Sequence, residues 1–140
     1  MTLRTISGWS IATGSTDSAL FLAACYIEKH YFDGDLLPSE IHIGWAREII
    51  PPGGAREGKQ PSGVYIPPGQ AADGLARIFV NERLKDCPAA YYWALCHELI
   101  HLKHPGHGQE FIDEALRLLK ADPEILTGSQ VLSVVRAVVT

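Results

Sequence analysis

The stretch HELIHLKHPGHGQEF, residues 97–111, packs four of the chain's six histidines into fifteen positions and interrupts helical periodicity with Pro105-Gly106. On an α-helix, side chains four residues apart stand one above the other. His97 and His101 can therefore aim ring nitrogens at a single ion about 2 Å away. Glu98 is rotated roughly 100° from His97, so its carboxylate can reach solvent bound to that ion without being a ligand. A straight helix cannot wrap a third side chain around the same point, and the chain has to turn. Proline disfavours helical geometry in the residue before it. The helix is thus expected to end near Lys103 or His104, and His107 is the nearest histidine able to swing back over the pair.

Three imidazoles leave a fourth coordination position for water, whose pKa zinc lowers to about 7. Nitrogen-rich tetrahedral ligation favours Zn2+ among divalent ions. Glu98 then stands where a general base is needed, to take the proton of a water attacking a peptide carbonyl. Two alternatives for the third ligand stay open, namely Glu110 or Glu114 on the following helix, and His104, although His104 falls on the same helix face as the first pair. A catalytically inactive zinc site that only staples a binding module is the competing function. Structural sites, however, usually close the fourth position with cysteine and place no carboxylate beside the ion. Cys96 lies on the apolar side of the helix and reads as a small buried thiol. Tyr65, Tyr91 and Tyr92 offer hydroxyls for an oxyanion but read first as packing.

The remaining sequence frames that motif. At 140 residues and 46% apolar composition, the chain suits one domain spanning 1–140. Ala19, Leu20, Leu22, Ala23, Tyr26 and Ile27 recur at helical spacing, giving a first helix of roughly fifteen residues from Thr16, capped by Ser15, Thr16 or Asp17. Ile41, Ile43 and Trp45 alternate as in a strand with one buried face. Residues 51–74 hold most of the prolines and read as loop around one short extended segment, Gly63–Ile66, whose edge could receive a peptide strand. Ala76, Ile78 and Val80, with Phe79 between them, predict a strand covered on both faces.

Pro88 is a helix-start signal for the motif helix, whose inward stripe is Trp93, Cys96, Leu99 and Ile100. A third helix is expected over Gln109–Ala121, with Phe111, Ile112, Ala115, Leu116 and Leu119 on one face and Asp122-Pro123 as its stop. A last helix capped by Ser129 is expected over residues 131–139. The pattern defines an α+β class: a short mixed β-sheet packed on the motif helix, with two or three further helices.

Net charge of −4 and a sequence pI near 5.8 count against nucleic acid as the default partner and leave a polypeptide substrate as the expected one. The apolar run at 19–27 is too short and mixed for a membrane span, and what precedes it is too weakly basic for a secretory signal. Cys25, Cys87 and Cys96 form no CxxC pair, which fits a reducing compartment. The simplest expectation is a soluble cytoplasmic protein without a membrane partner.

The residues His97, Glu98, His101, Gly106, His107, Gly108 and Phe111 resemble the signature of SprT-like zinc metallopeptidases, in which HExxH precedes a GHGxxF stretch carrying the third histidine. YFDGDLLP and ARIFVNERL resemble the segments upstream of that signature, so the likeness spans roughly residues 26–120. The related YgjP-like metallopeptidases share a similar HELxHLxHPxH pattern. The resemblance implies a small zincin-like fold, zinc held by His97, His101 and His107, and Glu98 as base. It does not extend to the zinc ribbon or basic tail that SprT-like proteins often carry. Metzincins have glycine where this chain has His104 and need a second methionine, whereas Met1 is the only one.

Overall fold

The computed structural model describes residues 3–6, 8–16, 18–32, 34, 37, 40–54, 59–70 and 73–121. The chain opens with β1 (Leu3–Ile6) and β2 (Trp9–Thr13), a hairpin for which the sequence pattern offers little warning. Ile6 pairs with Trp9, leaving a two-residue turn whose Gly8 has φ 87°, a left-handed conformation suited to glycine. Next come α1 (Ala19–Tyr31), β3 (Ile41–Ile50), β4 (Gly63–Ile66), β5 (Ala76–Asn81), α2 (Pro88–Ile100) and α3 (Gln109–Ala121).

The strands form one sheet in the order β1-β2-β3-β5-β4, in which β3 and β5 run parallel and the other pairs antiparallel. This is the mixed-sheet α+β class that the pattern implied. The helices cover one face, where Leu20, Ile27, Ile43, Trp45, Ile78, Val80, Trp93 and Leu99 share the main core. Ile11, Ala46, Ile49, Val64, Ile66 and Phe79 form a smaller core on the other face. All six residues of β5 are buried, which explains why Phe79 breaks simple alternation.

Strand β3 carries a bulge where it pairs with β2. Ala12 pairs with Glu48 but Thr13 pairs with Ala46, so Arg47 has no residue opposite it. The extra residue lets Ala46 and Ile49, three apart, serve the same small core and turns Arg47 outward.

The helix α1 begins at Ala19, later than the capping residues Ser15 to Asp17 suggested, and Ser18 at its N-cap makes no side-chain capping bond. The reason is that Ser15 is engaged elsewhere: its N–H donates to Glu82 Oε2 and its hydroxyl accepts from Lys85 Nζ. Asp17 lies outside the described residues. Helix α2 is apolar nearly all round, with Trp93, Ala94, Leu95, Cys96, Leu99 and Ile100 buried, so tertiary burial holds it in place. It ends at Ile100, a turn before the expected stop, because the chain tightens into 3-10 geometry: Leu102 N–H donates to Leu99 O and Lys103 N–H to Ile100 O.

On α3 the inward face is Phe111, Ala115 and Leu118, while Leu116, expected inside, is half exposed. The Asp122-Pro123 stop and the helix expected over 131–139 lie outside the described residues. No helix among the described residues is long and apolar enough to cross a membrane.

Candidate metal centre

Helix α2 carries His97 and Glu98, His101 caps its C-terminus, and the exposed turn at 102–108 brings His107 back over them. The three Nε2 atoms face one another in a nearly equilateral triangle: 3.2 Å from His97 to His101, 3.1 Å from His101 to His107 and 3.2 Å from His107 to His97. Protons cannot satisfy three ring nitrogens that all point at one centre, because at least one pair must oppose lone pair to lone pair or N–H to N–H. A cation resolves the conflict. A tetrahedral ion with bonds of about 2.0–2.1 Å needs ligand nitrogens ~3.3 Å apart, close to the spacing found. The three residues therefore lie close enough to hold one metal ion.

Surrounding groups fix the rings. His101 Nδ1 lies 3.0 Å from the main-chain oxygen of His104, so Nδ1 keeps the proton and Nε2 keeps its lone pair for the centre. Phe111, buried on the first turn of α3, packs against all three imidazoles with centroid distances of 4.8, 4.8 and 5.0 Å. His97 Nδ1 is buried without a hydrogen-bond partner among the described residues. Burial, reinforced by the neighbouring His101 and His107, holds the His97 imidazole down to about 3. Burial also lowers His101, against the opposing pull of the His104 and Pro105 carbonyls. Both rings are thus neutral at pH 7, the form that ligates a metal.

Glu98 sits beside the triangle, its Oε2 3.8 Å from His97 Nε2. It is buried, which pushes its carboxyl up to about 8, while the main-chain N–H of Tyr65 on β4 donates to it and acts the other way. That contact requires β4 to lie close against the helix, and Gly63 makes the approach possible. A Cβ there would meet Phe79 O at 3.0 Å and Glu98 Cγ at 3.2 Å.

The other sequence candidates are placed elsewhere. Glu110 pairs with the His104 ring at 3.3 Å, and Glu114 with Lys103 at 3.0 Å and Arg117 at 2.7 Å, so neither carboxylate joins the triangle. Cys96 is fully buried in the core. Tyr91 packs edge-on to Trp45 and lies against Tyr92, away from the cleft, whereas Tyr65 lines it. Three contributors escaped the sequence reading. Gly63 had a visible signal, a glycine opening a strand. The His104 carbonyl and the Tyr65 N–H are main-chain groups that side-chain identity does not announce.

The triangle and Glu98 form the floor of a cleft of about 1520 Å³, walled by β4, by residues 59–62 and by the turn at Pro105. No protein-family model, curated protein or solved structure matches the chain.

Proposed function

We propose that the protein is a zinc-dependent metalloendopeptidase of the SprT-like kind that hydrolyses peptide bonds. The observation that carries this reading is the position of Glu98, with its carboxylate 3.8 Å from His97 Nε2 beside the three-nitrogen cluster and on the floor of the cleft. Three imidazole nitrogens suit zinc over harder ions. When bound, zinc supplies Lewis acidity and lowers the pKa of a coordinated water to about 7.

The chain's own residues do the rest. Glu98 takes a proton from the attacking water and returns it to the departing amine nitrogen. Burial alone raises the carboxyl; beside a cation held in the triangle it falls toward the ionised form that accepts a proton, and the Tyr65 N–H orients it. Strand β4 pairs only with β5 among the described strands, so an extended polypeptide can lie along its free edge.

The test is a zinc-reconstituted protein incubated with an unfolded polypeptide, beside Glu98→Gln carrying the same zinc content. The variant is expected to lose about 10²- to 10⁴-fold in cleavage rate. Full activity in the variant, or a zinc-loaded parent that binds peptides and cleaves none, would overturn the reading; the latter outcome would instead favour the binding module.

A further inference from the structure

The charge of the cleft opposes the charge of the chain. Across the sequence, 16 Asp and Glu outnumber 12 Lys and Arg. Among the described residues lining the cleft, Arg47, Lys59 and Arg83 stand against a single acid, Glu98, which lies on the floor beside the triangle.

These cations are not all committed to partners. Arg47 has Glu82 at 3.7 Å and remains well exposed. Among the described residues the Arg83 guanidinium makes neutral contacts, donating from Nη2 to Gln60 O at 3.0 Å and toward Ser62 Oγ at 3.4 Å. Neither Arg83 nor Lys59 has a carboxylate within ion-pair distance among the described residues.

The segment 59–62 beside them is a built element. Gln60 Oε1 accepts from Ile49 N–H at 2.9 Å and from Asn81 Nδ2 at 3.3 Å, and Asn81 N–H donates to Ser62 O at 2.7 Å. The segment 59–62 is thereby pinned to β3 and β5 directly before it becomes β4. Lys59 lies in this segment and Arg83 donates to it from Nη2, so both stand beside the start of the edge along which an extended chain would lie.

We infer that the cleft selects polypeptide segments bearing acidic side chains, with Lys59, Arg83 and the bulged Arg47 as the specificity-determining residues. The inference rests on the peptidase reading for its substrate class and adds the charge preference. A polyanionic nucleic acid is less favoured, because its repeated phosphates would extend beyond three cations onto a surface whose net charge is negative.

The experiment uses zinc-loaded Glu98→Gln, which leaves peptides intact, and fluorescent peptides identical except for Glu against Gln, read by anisotropy at low and high salt. The acidic peptide is expected to bind about 5- to 10-fold tighter at low salt, with the margin shrinking as salt is added. Adding Lys59→Gln and Arg83→Gln brings the pair within about 2-fold, and Lys59→Glu with Arg83→Glu shifts preference to a Lys-bearing peptide. Among the described residues no side-chain hydrogen bond or ion pair of Lys59 holds the loop, so its single variant remains informative if Arg83 variants fold poorly.

Equal binding of the two peptides, a margin that survives charge removal, or displacement by a single-stranded oligonucleotide at lower concentration than by the acidic peptide would overturn the inference. Cleavage by the parent protein separates the two proposals. Charge-selective binding with no cleavage sinks the peptidase and leaves the selection standing. Cleavage with equal kcat/KM on both peptides does the reverse.

Discussion

The two halves of the candidate metal centre are built differently. His97, Glu98 and His101 stand at 7%, 6% and 8% exposure on a helix whose other sides are sunk in the core, whereas His107 sits on an exposed turn. That turn is secured by the bond between the His101 ring and His104 O, by the Lys103–Glu114 pair and by its junction with α3. The helix half is positioned by folding itself. The turn half relies on few contacts, so metal binding should be felt there first, as ordering of the return segment.

Removing a ligand from each half gives the largest contrast. His97→Ala and His107→Ala should each weaken zinc binding by more than about 100-fold, measured by competition with a chelator. In metal-free protein they should diverge. His97→Ala empties a buried position and costs about 1–3 kcal/mol, whereas His107→Ala changes stability by less than about 0.5 kcal/mol. Equal denaturation midpoints for the two metal-free variants would show that the halves are not distinct.

Phe111 is where the halves meet, since its ring touches all three imidazoles from α3. Phe111→Ala should destabilise the metal-free protein by about 3–5 kcal/mol, read from urea unfolding. Zinc should bind more weakly even where the variant is folded. Unchanged zinc affinity in the folded variant would mean that the rings are positioned without it.

The same division explains what could be read from the residues. The spacing of His97, Glu98 and His101 is a local property of helices, and the strands at Gly63–Ile66 and Ala76–Asn81 showed themselves through flanking turn residues and an alternation that Phe79 interrupts. The turn required only that Pro105 forbid helix and that His107 be next. By contrast, β1 and β2 are short and mix polar with apolar residues, and the pairing of β1 with β2 and of β2 with β3 comes from the sheet rather than from their own pattern. The bulge at Arg47 and the contact of Gly63 with Glu98 depend on chain segments distant in sequence. No local periodicity encodes them.

Gly63 sharpens the comparison from a third side, because it bears on Glu98 from the sheet edge and not from either half. Gly63→Ala forces β4 away from Phe79 O and Glu98 Cγ. On the proposed peptidase reading, a lateral shift of that kind should lower kcat about 10-fold, with zinc affinity unchanged. A loss confined to KM would place the role of Gly63 in substrate binding instead of in orienting Glu98.

The smallest effect is expected at a pair remote from the triangle. Arg77 on β5 is buried and forks onto Asp73, with Nη1 2.9 Å from Oδ1, and that hydrogen bond, more than any other contact, lowers the Asp73 carboxyl to about 2. Because the folded value lies below the ordinary 3.8, the pair's stabilisation is fully present above pH 3.8 and is lost as pH falls through about 2. Asp73→Asn should therefore lower stability modestly at pH 7 and remove that acid-dependent component. Zinc affinity should stay at the parent value, since neither half of the centre touches this pair. A simultaneous loss of zinc binding would show that β5 transmits strain to the triangle, and the helix half could then no longer be treated as held by α2 alone.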